Sequence, residues 1–122
     1  MGNSNFESQK SLNIFKNAIK NLSIIILEEW ASVKITFEFK GSIFGQKEKI
    51  VLTLKDNLSV LAALKELASQ IPSLETLLFK EDSLRNDILV FVDRTDVITM
   101  KLLAVSLEDG QQITVLPLAH GG

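Results

Sequence analysis

The chain has 122 residues, of which 46% are hydrophobic, and its 13 Lys and Arg residues nearly balance its 15 Asp and Glu residues. This length and composition are typical of one packed domain with some residues to spare. The balanced charge lacks the basic surface that a phosphate backbone requires, so direct nucleic-acid binding is disfavoured. The absence of Cys and the single His exclude disulfides, thiol nucleophiles and thiolate metal sites.

Residues 1–32 are predicted to form an extension outside the main domain. Apolar residues recur there at steps of three and four, which is the spacing of an amphipathic helix: Leu12, Phe15, Ile19, Leu22 and Ile26. We expect a helix that packs on the domain or self-associates. A regulatory or partner-binding arm is the alternative, and the β-branched cluster at residues 24–26 leaves a strand open.

The sequence predicts no membrane partner. No stretch approaches the ~18 apolar residues of a membrane-spanning helix. The beginning of the chain lacks the basic and then apolar layout of a secretory signal, so we expect a cytoplasmic protein.

A hairpin and a helix are predicted after the extension. Residues 33–40 alternate between apolar and polar without a fault, which indicates a half-buried strand. The alternation resumes at residues 50–55 after a linker with two glycines, so the two strands form a hairpin. Ser59 then precedes an apolar pattern of helical spacing, and we expect it to cap a helix that ends before Pro72.

Two further strands complete the predicted domain. Residues 88–92 are a continuous apolar run, as expected of a central strand that is covered on both faces. Asp109-Gly110 is a turn signal, and residues 112–116 form the last strand with Ile113 and Val115 in phase. The order predicts an α+β domain over residues 33–122, in which a mixed sheet of four to five strands clasps one helix.

The sequence ends in Gly121-Gly122, and we predict a flexible Gly-Gly tail over residues 117–122. Glycines have no side chains and wide backbone freedom, which suits a segment that enters a narrow channel in a partner enzyme. Six residues extend up to about 20 Å. A terminal carboxyl is ionised at neutral pH and is a poor electrophile, so it would need activation, usually as a mixed anhydride formed with ATP.

Apolar residues near the tail are candidates for a partner-binding patch. Leu116 and Leu118 are out of phase with the buried face and are predicted to be exposed. Packing against the N-terminal arm is an equally weighted alternative for both. Ile43 and Phe44 in the first loop are weaker candidates for the same patch. We interpret His120 as a solvated tail residue or a partner contact, because nothing in the sequence orients it as a general base.

The order of elements and four short motifs resemble the β-grasp sulfur carriers, and above all the ubiquitin-related modifier family. The motifs are Phe44-Gly45 in the first loop, residues 81–90 (Glu-Asp-Ser-Leu-Arg-Asn-Asp-Ile-Leu-Val), residues 107–110 (Leu-Glu-Asp-Gly) and the terminal Ala-His-Gly-Gly. The family ends in Leu-His-Gly-Gly, so Ala119 stands in place of Leu. Pro117-Leu118 resembles the proline-containing tails of the sulfur carriers of molybdopterin and thiamine synthesis.

The resemblance implies a ubiquitin-like β-grasp fold. It also implies that the protein is not itself an enzyme but a carrier on which an activating enzyme acts. An activating enzyme would adenylate the carboxylate of Gly122 with ATP and magnesium, and the chain itself would bind no cofactor. A persulfide donor would convert the adenylate into a thiocarboxylate. That group would serve a tRNA-thiolation enzyme or form an isopeptide bond with a lysine of a target protein.

Two other functions stay open from the sequence. The chain resembles the small subunit of molybdopterin synthase, whose tail inserts into a large catalytic subunit. It is also consistent with a ubiquitin-like interaction domain that does not conjugate, in which residues 1–32 do the binding.

Overall fold

The computed structural model describes residues 32–118, so the predicted N-terminal extension and residues 119–122 lie outside the described residues. Two helices, seven strands and two short 3-10 turns follow one another within the described part of the chain. They are β1 (Ser32–Phe39), a turn (Ser42–Phe44), β2 (Ile50–Lys55), α1 (Val60–Gln70), a turn (Pro72–Leu74), α2 (Glu75–Leu78), β3 (Phe79–Lys80), β4 (Ser83–Leu84), β5 (Ile88–Val92), β6 (Thr95–Asp96) and β7 (Gln112–Pro117).

Five of these strands form one mixed sheet in the order β2-β1-β7-β5-β6, and β3 pairs with β4 separately. Strand β7 lies in the middle, parallel to β1 and antiparallel to β5. The register places Phe37 beside Ile113 and Val90 beside Val115. The predicted α+β architecture, a mixed sheet with one main helix, is confirmed.

The core lies between helix α1 and one face of this sheet. All four apolar residues of the first strand are buried, as the alternation predicts: Val33, Ile35, Phe37 and Phe39. They form a single hydrophobic cluster with the buried face of α1, which contains Leu64 and Leu67. A side chain of that size stabilises the fold by roughly 1.5–3 kcal/mol when it is fully buried.

Helix α1 begins and ends where the sequence predicts. The Ser59 hydroxyl oxygen accepts a hydrogen bond from the backbone N–H of Ala62 at 3.1 Å, which satisfies one of the unpaired amides of the first turn. The helix ends at Gln70, before Pro72 opens the 3-10 turn. With 11 residues α1 is the longest helix between residues 32 and 118, where no helix is long and apolar enough to span a membrane.

Strand β5 differs from its prediction. Ile88, Val90 and Val92 are buried, whereas Leu89 and Phe91 are half-buried, so the strand is not covered equally on its two faces. The middle position belongs to β7. A continuous apolar run fits both a strand buried on two faces and a strand that carries apolar residues on its outer face. Only the pairing distinguishes them.

Asp96 organises the turn that follows β6. Its carboxylate accepts hydrogen bonds from the backbone N–H groups of Thr99 and Ile98, at 3.0 and 3.1 Å, and from the Thr99 hydroxyl at 2.7 Å. The Thr99 amide and then the Thr99 hydroxyl lower the pKa of the Asp96 carboxyl, with a smaller contribution from the Ile98 amide, and desolvation opposes them. The charged form of Asp96 is therefore favoured by folding.

We expect Asp96→Asn to lower the melting temperature at neutral pH, because the amide side chain lacks the charge and the second carboxylate oxygen. A carboxyl whose pKa is lowered by folding stabilises the protein above its ordinary pKa of 3.8 and loses that effect as the pH falls through the folded value. The melting temperatures of the wild type and the variant should therefore begin to converge as the pH falls below about 3.8, and the difference should vanish below the lower pKa of the folded state. Thermal unfolding at a series of pH values checks this, and a constant difference down to the acid limit would contradict it.

Candidate functional site

The end of strand β7 is held by the sheet. Pro117 is the last residue of the strand and pairs with Ile88 of β5. One residue further on, the backbone N–H of Leu118 donates a hydrogen bond to the carbonyl oxygen of Asp87 at 2.9 Å. The prediction of a flexible tail that starts at residue 117 is therefore wrong for Pro117 and Leu118. The four residues after Leu118 span at most about 14 Å instead of 20 Å.

The other edge of β7 lies against the end of β1. The backbone N–H of Lys40 donates to the carbonyl oxygen of Val115 at 2.8 Å. The next residue, Gly41, has a φ of 117°, and a Cβ atom at this position would lie 3.0 Å from Cδ and 3.1 Å from Cγ of Pro117. Both the backbone conformation and the close approach of the proline ring require glycine here.

The segment that precedes β5 is stiffened by an ion pair. Nε and Nη2 of Arg85 donate to Oδ1 and Oδ2 of Asp87, each at 3.0 Å, in the bidentate arrangement that suits a guanidinium group. The hydrogen bonds and the charge of Asp87 raise the pKa of Arg85 further above its already high ordinary value. The backbone N–H of Arg85 donates to the carbonyl oxygen of Leu78 at 2.8 Å. Residues 85–87 are thus anchored at their start and cross-linked internally.

We call the residues around the last two described positions the tail base. It consists of Pro117 and Leu118 themselves and of three residues that contact them, leave space for them or support such a contact: Gly41, Arg85 and Asp87. The sequence did not indicate the roles of Gly41, Arg85 and Asp87. Gly41 could have been found as a glycine directly after a strand, whereas the other two depend on the pairing of β7 with β5.

The outer face of the sheet carries apolar residues beside the tail base. Leu118 is 39% exposed, as predicted, while Leu116 is only half-buried. Leu116 lies opposite Leu89 of β5, and the next outward residue of that strand is Phe91. Leu89 and Phe91 were missed because the apolar run at residues 88–92 was interpreted as buried on both faces.

Phe44 does not belong to a partner-binding surface. Its side chain is 3% exposed, and its ring centroid lies 5.3 Å from that of Phe39 in the core. The 3-10 turn at residues 42–44 directs Phe44 inward and leaves its neighbour Ile43 63% exposed. The prediction for Phe44 is therefore wrong, and Ile43 is the apolar residue that this loop presents. The predicted tail residues His120, Gly121 and Gly122 lie outside the described residues.

No protein-family model and no curated protein matches the chain. Solved structures do match it. Small archaeal modifier protein 1 (SAMP1) from Methanosarcina acetivorans superposes with a TM-score of 0.62 and 18% identity, over 75% of this chain and 98% of that one. Urm1 from Trypanosoma brucei gives 0.58 and 21%, over 75% and 97%.

The chain has the ubiquitin-like β-grasp fold. A chain in the crystal structure of the BexX/CysO complex from Amycolatopsis orientalis matches it as well, with a TM-score of 0.54 and 25% identity, over 72% of this chain and 99% of that one. The structural neighbours are ubiquitin-like proteins of the SAMP1, Urm1 and molybdopterin-converting-factor kind, so the resemblance inferred from the sequence is confirmed at the level of the fold.

Proposed function

We propose that this β-grasp protein is a ubiquitin-like sulfur carrier and protein modifier whose working group is the carboxylate of Gly122. The observation that supports this most is the path of β7. The middle strand of the sheet is followed in sequence by the Gly-Gly motif, and Leu118, the last described residue, is hydrogen-bonded to Asp87 four positions before Gly122. The domain thus forms a rigid base for a short segment that has no side chains at its last two positions.

The proposed chemistry starts at the carboxylate. One carboxylate oxygen of Gly122 attacks the α-phosphate of ATP in an activating enzyme, which supplies the magnesium site, and pyrophosphate leaves. A persulfide sulfur then attacks the acyl carbon and AMP leaves. A thiol of the sulfur donor cleaves the resulting acyl disulfide and releases the thiocarboxylate of Gly122. This group then donates sulfur to a tRNA-thiolation enzyme, or the activated carboxyl acylates the amine of a target lysine.

The partners in this proposal act on the chain, which serves as their substrate and binds no cofactor itself. The name of the neighbour small archaeal modifier protein 1 denotes a modifier, and one matching chain was solved in a complex of two proteins. Four apolar residues are proposed to contact the activating enzyme: Leu118 of the tail base, its neighbours Leu89 and Leu116, and the exposed Ile43. We place the cycle in the cytoplasm, as the sequence predicted.

Intact-mass spectrometry of the full chain, produced together with an adenylating enzyme from the same source, tests this proposal. We expect either the mass increase of one sulfur-for-oxygen exchange or an adduct of the chain with a lysine of another protein. Fragmentation should place the change on Gly122 as the terminal residue of the mature protein. The absence of both products, with an enzyme that is active on another carrier, would count against the proposal.

A molybdopterin-synthase-like role is the second candidate. It is favoured by the proline at the tail base and by the structural likeness to a molybdopterin converting factor subunit 1 from Pyrococcus furiosus. This role requires a stable hetero-oligomer in which the thiocarboxylate sulfur passes to a pterin. Size-exclusion chromatography with a large synthase subunit distinguishes it from the first proposal, which requires no such complex.

A further inference from the structure

We propose that Gly41, Arg85 and Asp87 are positioning residues for carboxylate activation, because they fix the point and the direction from which the last four residues leave the sheet. The inference rests on the proposed function and deepens it. The three residues are distant from Gly122 in sequence, and none of them belongs to the Gly-Gly motif. They act through Pro117 and Leu118, which are the last two of the described residues.

The first support is the hydrogen bond between Leu118 and Asp87. Strand pairing of β7 with β5 extends to Pro117 and Ile88, and within residues 32–118 the bond from the Leu118 N–H to the Asp87 carbonyl oxygen is the last backbone hydrogen bond along this edge. Its acceptor lies in the short segment before β5. A carbonyl in such a segment holds its direction only if the segment is rigid.

Arg85 supplies that rigidity. Its guanidinium group donates hydrogen bonds to both carboxylate oxygens of Asp87, two positions further along the chain. The backbone N–H of Arg85 is hydrogen-bonded to the carbonyl oxygen of Leu78. Two parallel hydrogen bonds restrain orientation as well as distance, which a single contact from lysine does not. Both side chains are about one-third exposed, so we expect the pair to act on geometry more than on global stability.

Gly41 leaves the space that the Pro117 ring occupies at the opposite edge of β7. Because a Cβ atom at this position would come within 3.0 Å of the Pro117 ring, alanine would displace the proline or the loop. The Pro117 ring therefore occupies space that only glycine at position 41 leaves open, while the Pro117 backbone pairs with Ile88 on the other side. We expect this space and this pairing together to determine where Leu118 lies.

Such positioning matters because the reach beyond Leu118 is short. Four residues cover at most about 14 Å, so the carboxylate arrives at an activating site only if the domain docks with its tail base close to that site. A displacement of about 1 Å at a reacting group can cost about 100-fold in rate. The affinity for the activating enzyme, and so KM, depends on the surface of the domain. The rate of adenylation, and so kcat, depends on the position of Leu118, from which the last four residues must reach the ATP.

Hydrogen exchange of the Leu118 amide in the full chain tests the restraint without any partner. The variants are Arg85→Lys, which keeps the charge and loses the bidentate geometry, and Gly41→Ala. We expect the Leu118 amide to exchange about tenfold faster in both, because the bond to Asp87 opens more often. Gly45→Ala is the matched control for Gly41→Ala, since Gly45 also has a positive φ of 67° but has no atom within 4 Å of the place that a Cβ would occupy.

Steady-state ATP–pyrophosphate exchange with the adenylating enzyme tests the consequence. We expect kcat to fall about 10- to 100-fold in Arg85→Lys and Gly41→Ala, while KM for the carrier stays within about twofold. Lys49→Met is the control for Arg85→Lys. It removes an ion pair with Glu38 at the other end of β7, near Gln112, and should leave both constants unchanged.

The outcomes separate this inference from the proposed function. Unchanged Leu118 exchange in both variants would overturn the inference, whether or not the enzyme accepts the wild type. Faster exchange with unchanged kcat, or a loss confined to KM, would overturn it too, because the restraint would then not serve the chemical step. If the wild type itself is never adenylated, the proposed function fails, and with it the role of these residues in activation.

Discussion

Phe37→Ala is expected to lower the free energy of unfolding by about 3–5 kcal/mol, the usual loss for a large aromatic residue in a packed core. Phe37 is fully buried in β1, beside Ile113 of the middle strand. Domains of this size are stabilised by about 5–15 kcal/mol in total, so the variant should lose a large part of its stability. Urea unfolding followed by circular dichroism measures the change.

Val51→Ala is the control for Phe37→Ala. Val51 is also an apolar residue on a strand of the same sheet, but it is 60% exposed. We expect its truncation to change the free energy of unfolding by no more than about 0.5 kcal/mol. Equal losses in the two variants would show that the β1 alternation does not define the core.

Deletion of Gly122 is expected to reduce adenylation by at least about 100-fold without changing the melting temperature. The deletion moves the terminal carboxylate back by one residue, or about 3.5 Å, which exceeds the misplacement that already costs an activated group about 100-fold. The core and the hydrogen bonds described for the domain involve residues up to Leu118, so stability should be retained. ATP–pyrophosphate exchange and thermal unfolding measure the two effects.

Gly122→Ala separates chain length from the absence of a side chain, because it keeps the carboxylate at its original position and adds one methyl group. We expect an intermediate loss of adenylation. If removal of residues 121 and 122 instead leaves the binding of all partners intact, while removal of residues 1–32 abolishes it, the chain is an interaction domain and not a carrier.

The fold was predictable because its strongest signals are local. The faultless alternation at residues 33–40, the Ser59 cap and the Asp109-Gly110 turn each determine an element by short-range physics, and the structure contains all three. The misinterpretation of β5 shows the limit. Side-chain pattern alone does not reveal how many faces of a strand are covered, since that depends on which strands become its neighbours.

The tail base was hidden from the sequence for a related reason. Asp87 and Leu118 are 31 positions apart, and their hydrogen bond exists only because β7 lies between β1 and β5. Likewise, Gly41 meets Pro117 through strand pairing and not through any spacing that a motif could carry. Phe44 was misassigned because the conformation of one 3-10 turn decides which of two adjacent apolar residues points into the core.

The middle strand of the sheet is also the last of its five strands that the ribosome makes. Before residues 112–117 emerge, β1 and β5 have no partner between them, and their edges resemble those that drive aggregation. Contacts between β1 and β7 close a loop of about 75 residues, which makes this step of folding intrinsically slow. A translation product that stops before Gln112 lacks both the middle strand and the Gly-Gly sequence, so only a chain that can complete the sheet carries the proposed working group.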